Sequence, residues 1–453
     1  MSDVSTAVMD TAVMDTAVVS PATVNAASMS MADSVAVHSL PRRFDHYMLL
    51  VSEHNVAELR ACLYWQPQHI YLVITDRVTV AAKRLYTVLS ALLPNSQIIS
   101  LTHTPEHPLT GERLQPNEQW IDQVVRPLFA TLDLSQCAFN FTGSTKSLAF
   151  LLMQAFDWAE LHYQPYDQTN THLWLERMRW QDGKTHHLPA IDLAAYPLDL
   201  YHAVGLYIDN AEPDQPNRIF EHPDSLALAE LRLAAQSLST DSADNPWTVL
   251  TPLLDQIWYR NDYPSHQKTV LIKWQDCALE RAVLQLFLQR LAALDAKHVL
   301  LSFDDEGFSC PTSHHKHVHS WRKWIGGDWY EQLIQHWLRQ GGVADQDLAA
   351  GLKIMRENDQ GREVDILLMH KQSLHVIEIK ADVPKGDSIG KFEEQLSSTS
   401  NALGKVKKFL VLAPAIQHKL SEAQRSAFEL RCKNNQVEVI YAGQAQDLHK
   451  LLP

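Results

Sequence analysis

Residues 363–382 read EVDILLMHKQSLHVIEIKAD. Two runs rich in Val, Ile and Leu flank the polar trio Lys371-Gln372-Ser373, which is the signature of a β-hairpin. Side chains alternate along a strand, so Leu374, Val376, Glu378 and Lys380 share one face of the second run while His375, Ile377 and Ile379 share the other. Asp365, which opens the first run, falls beside Glu378 and Lys380 once the runs pair. Two carboxylates and an ammonium then converge on one sheet face. Carboxylates buried together resist joint ionisation unless a divalent cation neutralises them, and oxygen ligands of this kind suit Mg²⁺ or Mn²⁺. Such a cation polarises a phosphoryl oxygen and acidifies a bound water, and Lys380 is placed to orient the attacking hydroxide and offset developing negative charge. That chemistry is phosphodiester hydrolysis. An isolated D…ExK spacing also fits a surface ion pair on a strand. The apolar residues around Glu378 argue for burial instead, and buried acids rarely lack a role.

Outward from the hairpin, the pattern predicts a helix starting near Asp328, a helix around Lys391 to Leu403, and a strand in KFLVLAP (408–414). A helix over Glu422 to Arg431 and a strand in VEVIYA (437–442) complete a compact α/β domain over 321–453. Residues 182–320 mix helices (Ser225 to Ser237, Trp247 to Tyr259, Cys277 to Leu294) with one apolar strand, HVLLSF (298–303), and are expected to connect and pack. Toward the N-terminus, short apolar runs alternate with helical segments: YMLLVS, a helix from Asn55, HIYLVIT, a helix from Val78, QIISLT, then CAFNFTG and a helix from Ser144. Strand-length runs alternating with helices predict βαβ units and a parallel sheet covered on both faces. This gives a Rossmann-like domain over 43–181, closing on a hairpin around His162 to Met178. Residues 1–42, with TAVMD at Thr6 to Asp10 and again at Thr11 to Asp15, carry too little apolar bulk for a core. They read as a disordered low-complexity tail, or as upstream sequence if Met29 or Met31 is the start.

The chain has 453 residues, 45% of them hydrophobic, and lacks both a long apolar span and a secretory signal pattern, so a cytoplasmic, non-membrane protein is expected. Its five cysteines are far apart without a CxxC pair, which argues against a disulfide framework and a thiolate zinc site. A formal net charge of −14 counts against a constitutive, high-affinity duplex binder but not against an enzyme with a local basic track.

NFTGSTKSLAF (140–150) and LVSEHNVAEL (50–59) follow strands, where ligands bind in open α/β sheets. In the first, Gly143 permits a tight strand-to-helix turn, Thr142, Ser144 and Thr145 offer hydroxyls, and Lys146 adds a charge at a helix N-terminus. This is an anion-binding turn, or else a capped helix start with an incidental lysine. It lacks both the dinucleotide GxGxxG and the Walker spacing. The histidines of HHKHVH (314–319) read as a solvated loop, and Trp321, Trp324, Trp329 and Trp337, at helix-like spacing, read as core rather than base-stacking platforms. Lys405, Lys407 and Lys408 fit a phosphate track and a solvated face equally well.

Taken together, NFTGSTKSLAF, LVSEHNVAEL, GGDWYEQLI (326–334) and VDILL…VIEIK resemble the CRISPR-associated Rossmann-fold (CARF) nucleases, ancillary effectors of type III CRISPR systems. These join a CARF sensor to a PD-(D/E)xK nuclease domain. Val364 stands where the Pro of that motif is common, and Ser144 where a second Gly is usual. The resemblance implies an antiviral endonuclease acting on DNA or RNA, expected to be single-stranded. It implies catalytic residues Glu331, Asp365, Glu378, Lys380 and Gln395, with Mg²⁺ or Mn²⁺ held by Glu331, Asp365, Glu378 and Ile379. It further implies activation by a cyclic oligoadenylate, cyclic tetra-adenylate above all, bound across a two-fold homodimer by Thr142, Gly143, Ser144, Thr145 and Lys146, with Ser52, Asn55, Thr75 and Asp76 as ring or ribose contacts. Two rivals stay open: a restriction- or repair-type nuclease without a signalling ligand, and a ligand-responsive binding protein whose nuclease-like domain is inactive.

Overall fold

The structure, a computed structural model, describes residues 44–103, 118–143, 146–165, 174–181, 183–194, 196–208, 211–213, 218–236, 245–259, 264, 266–294, 301–354, 362–383, 389–404 and 406–452. The tail expected over 1–42, Ser144, Thr145 and Lys405 lie outside these residues.

The first sheet has seven strands: β1 (His46–Leu50), β2 (His69–Thr75), β3 (Gln97–His103), β4 (Cys137–Asn140), β5 (Glu160–Tyr163), β6 (Trp174–Gln181) and β7 (Lys184–Asp192). Their order is β3-β2-β1-β4-β5-β6-β7. The pairs from β3 through β5 are parallel, and β6 and β7 are antiparallel additions. The apolar runs of β1, β2 and β4 are buried on both faces, as parallel strands covered by helices must be. The helices Val56–Trp65, Thr79–Leu92 and Lys146–Ala155 follow β1, the β2 turn and β4. The sheet therefore runs eleven residues past 181, where the sequence reading ended the domain. The reason is β7 itself: KTHHLPAID is polar, largely exposed and interrupted by Pro189, so it carries no alternation, as an edge strand need not.

The region read as a connector is built into three sheets. It supplies β7, then β8 (Ala211–Pro213), and then β9 (Thr269–Lys273), β10 (Ser302–Phe303) and β11 (Gly307–Pro311), which form a small antiparallel sheet in the order β10-β11-β9. The third sheet adds β12 (Leu348–Ile354), β13 (Arg362–His370), β14 (Ser373–Lys380), β15 (Lys407–Leu412) and β16 (Val437–Tyr441), in the order β16-β15-β14-β13-β12-β8. β13 and β14 form the expected hairpin, and β15 and β16 extend it in parallel.

Alternation assigns the two faces of this sheet as read from the sequence. Ile377 and Ile379 join Ile366 and Leu368 in a core with the helix Trp329–Gln340 and the helices Pro223–Gln236, Pro246–Tyr259 and Arg281–Ala293. Leu374 and Val376 face a second core with Leu367, Phe392, Leu396 and Phe428. The four tryptophans read as core are so: Trp321, Trp324 and Trp329 are fully buried and Trp337 nearly so. The short helix Leu200–Gly205 belongs to both halves of the molecule. Its Leu200, Ala203 and Val204 enter the core of the third sheet, while the flanking Leu198 and Leu206 enter the core of the first. Among the described residues no helix is long and apolar enough to cross a membrane.

Candidate active site and strand-end crevice

The β13–β14 pairing sets Ile366 opposite Ile377, which brings Asp365 alongside the end of β14. Asp365 Oδ2 accepts the backbone N–H of Ile379 at 2.7 Å. Lys380 Nζ donates to Glu378 Oε1 at 2.5 Å and lies 3.7 Å from Asp365 Oδ2. Asp365 and Glu378 are buried, and the Lys380 side chain keeps about a fifth of its surface (21%). Glu331, in the first turn of the helix Trp329–Gln340, adds a third carboxylate felt by Asp365 and Lys380.

Three acids against one ammonium leave an excess of negative charge in a poorly solvated site. Burial, then Asp365 and Asp328, push Glu331 well above the usual carboxylate range. Asp365 is raised by burial against the pull of Lys380 and the Ile379 amide, and Glu378 is raised by burial and by Asp365. Burial would lower the Lys380 ammonium, but Asp365 and Glu378 outweigh it and hold it above its ordinary range. Among the described residues no three His, Cys, Asp or Glu side chains lie together at metal-ligand spacing. The donor set nonetheless fits a hard divalent cation, because its three carboxylates outnumber the two lysines that act on Asp365, Lys380 and Lys323.

Ile379 enters this geometry through its amide, which fixes Asp365. The structure does not bring Gln395 into the cluster. It sits on the exposed side of the helix Gly390–Ser400, where its carbonyl accepts from Thr399, and Phe392 and Leu396 take the buried face. Three neighbours were missed by the sequence reading. Lys323 reaches Glu363 at 3.5 Å and Asp328 at 4.0 Å. Glu363 was legible, standing two residues before Asp365 on the same strand face. Asp328 closes a five-residue π turn, Trp324–Asp328, of the kind often found at functional sites. Lys323 depends on that turn's path and has no local signal.

In the first sheet, β1 leads to β2 on one side and pairs with β4 on the other, which makes the carboxyl ends of β1 and β4 a topological switch point. Ser52, Asn55, Thr142 and Gly143 meet there, with Thr75 and the exposed Asp76 at the next strand end and the exposed Lys146 at the start of its helix. Asn55 is buried and its Oδ1 holds the Ser52 amide at 2.8 Å, so it shapes the loop from within. Thr142 Oγ1 accepts from the Gln164 amide at 2.9 Å. At Gly143 a Cβ would sit 2.2 Å from the Leu50 carbonyl and 2.8 Å from Glu58 Oε1, so the turn admits glycine alone. Glu58 beneath it is buried, and burial raises its carboxyl against the pull of its own backbone amide and the Ser52 side chain.

Residues 319–450 match the family described as the Card1-like endonuclease domain. The C-terminal third thus carries an endonuclease domain. Two solved structures share the fold over nearly the whole chain. Can2 from Sulfobacillus thermosulfidooxidans, in complex with cyclic tetra-adenylate, is 18% identical with a TM-score of 0.55, over 90% of this chain and 96% of that one. Protein VC1899 from Vibrio cholerae is 16% identical with a TM-score of 0.58, over 89% and 96%. No curated protein matches by sequence. The chain has a CARF-nuclease fold. The family match falls on β12 to β16 of the six-stranded sheet, and the seven-stranded sheet lies outside it.

Proposed function

We propose that this protein is a cyclic-oligoadenylate-activated, divalent-metal-dependent endonuclease of type III CRISPR antiviral defence. The observation that carries the proposal is the convergence of Asp365, Glu378 and Lys380 on one face of the β13–β14 hairpin, inside a Card1-like endonuclease domain. Its PD-(D/E)xK character rests on that spacing. Asp365, Glu378 and Glu331 would hold Mn²⁺ or Mg²⁺, with the Ile379 backbone beside them. The cation would supply Lewis acidity toward the scissile phosphate and a water of lowered pKa. Lys380 orients the nucleophile and offsets charge on the phosphoryl oxygens, while the Ile379 amide keeps Asp365 aimed.

The activator, cyclic tetra-adenylate, would occupy the crevice at the ends of β1 and β4. Its support is the fold shared with Can2, the switch-point geometry and the glycine-only turn at Gly143. A ring of two-fold symmetry suits a homodimer in which each subunit offers the same turn and Lys146 to opposite phosphates. The substrate is nucleic acid, single-stranded by this reading. Cleavage of labelled single-stranded DNA, single-stranded RNA and plasmid with Mn²⁺, with and without cyclic tetra-adenylate, tests both halves. Cutting only with activator is expected. Equal cutting without it removes the sensor, and no cutting at all favours a binding protein with an inactive domain.

A further inference from the structure

The turn of the catalytic hairpin is anchored in the sensor domain. Arg60, on the helix Val56–Trp65, is buried, and its Nη2 donates to the Gln372 carbonyl at 2.8 Å and to Gln372 Oε1 at 3.0 Å. The same Oε1 accepts the Leu198 amide at 3.2 Å, from the segment leading into the helix shared by both cores. Lys371 and Gln372 form the two-residue loop between the paired His370 and Ser373, and both have left-handed backbones, with φ of 46° and 63°. Such a loop favours Asn-Gly, because glycine adopts a left-handed backbone without strain and Asn more readily than other residues. Gln372 thus occupies a position where glycine would be more comfortable, and its side chain spans the two domains. At the other end of the sensor contact, a Cβ on Gly404 would meet Tyr207 at 2.3 Å and His54 Nδ1 at 2.9 Å, so the loop before β15 presses on the β1 loop as well.

From these contacts we infer that Arg60 and Gln372 are a positioning pair, through which the helix that follows the ligand loop sets the register of the strand carrying Glu378 and Lys380. The inference rests on the sensor-nuclease reading above. Ser52 and Asn55 lead directly into the helix that bears Arg60, so a shift at the crevice moves the guanidinium, and β14 runs unbroken from the turn to Lys380. Gln372→Gly separates positioning from folding, since it relieves the left-handed strain and deletes both side-chain bonds.

The test compares wild type, Gln372→Gly, Arg60→Met and the double variant with Mn²⁺ and cyclic tetra-adenylate. In Gln372→Gly, activator-stimulated kcat should fall about tenfold, with KM for nucleic acid unchanged and Tm equal to or above wild type. The double variant should lose no more than the worse single. A Gln372→Gly enzyme that responds to activator like wild type overturns the inference, as does full additivity of the two losses. If wild type cuts equally without activator, the sensor reading has failed, and positioning is then judged on unstimulated kcat: a drop in Gln372→Gly sustains it and no change overturns it. If nothing cuts, amide exchange across Ser373–Lys380 decides, with faster exchange in Gln372→Gly expected and equal exchange fatal.

Discussion

Glu160 and Glu378 are both fully buried acids on central strands, and their surroundings are opposite. Glu160 takes two bonds from Arg177, at 2.7 and 2.8 Å, with His162 at 3.3 Å and Arg179 at 3.6 Å. Burial alone would raise it, but His162 and Arg177 outweigh that and hold it down to about 2. His162 is itself fixed by Tyr47 and stacked on Trp65. Glu378 instead shares one lysine with Asp365 and Glu331, and it is pushed up. Cations surround the first acid, and acids surround the second. An acid whose charge is fully met holds the fold together, whereas a cluster carrying more charge than its partners cancel is poised to take something from outside.

The sharpest way to break this contrast is to remove one acid from each region. Asp365→Ala should cut cleavage by roughly a thousandfold or more while melting and activator binding stay near wild type. Retained cutting would remove Asp365 from the mechanism. Glu160→Gln should do the reverse, costing about 3–5 kcal/mol by stranding the half-buried Arg177 and leaving the cleavage rate per folded molecule unchanged, as read by chemical denaturation beside an activity assay. Lys380→Met should lower kcat by about 100-fold. It should also make folding less tolerant of high pH, because the three acids would lose their counter-charge.

The smallest effects appear on titration, in two buried acids of the half built on the seven-stranded sheet. Glu160 ordinarily titrates near 4.5 and is held at about 2, so the unfolded chain takes up its proton first. Its contribution is complete above about 4.5 and is lost as pH falls toward 2. Glu58 runs the other way: burial pushes it up to about 8, so the unfolded chain ionises first and stability declines as pH rises from about 4.5 to 8. Denaturation midpoints across pH should show both slopes, with Glu160→Gln flattening the acid limb and Glu58→Gln the neutral one. An unchanged acid limb in Glu160→Gln would count against its pairing.

Much of this is legible in the sequence alone. Period-2 alternation fixed the faces of β14 and put Asp365, Glu378 and Lys380 together, and the βαβ pattern located the strand ends around Ser52 and Gly143. Glu331 came from the family resemblance, which implies a further acid on the helix before the hairpin. Gln395 did not join the cluster, because its helix turns Phe392 and Leu396 inward and leaves it outside. β12 was missed because LAAGLKI is weakly apolar and bends at Gly351, whose φ is 60°. β7 and β8 were missed because edge strands need no buried face. The Arg60–Gln372 contact joins residues 312 apart and leaves no local trace.

The six-stranded sheet has a further consequence for anyone cutting the chain. Its last strand, β8, comes from residues 211–213, more than a hundred positions before the family match begins at 319. A fragment starting there would bare the hydrogen-bonding edge of β12 and strip away the helices over Trp329 and Tyr330, leaving a sticky, half-dressed sheet prone to pairing with its neighbours. The excisable unit of this enzyme is larger than its catalytic module, and a portable nuclease made from it would have to begin before β8.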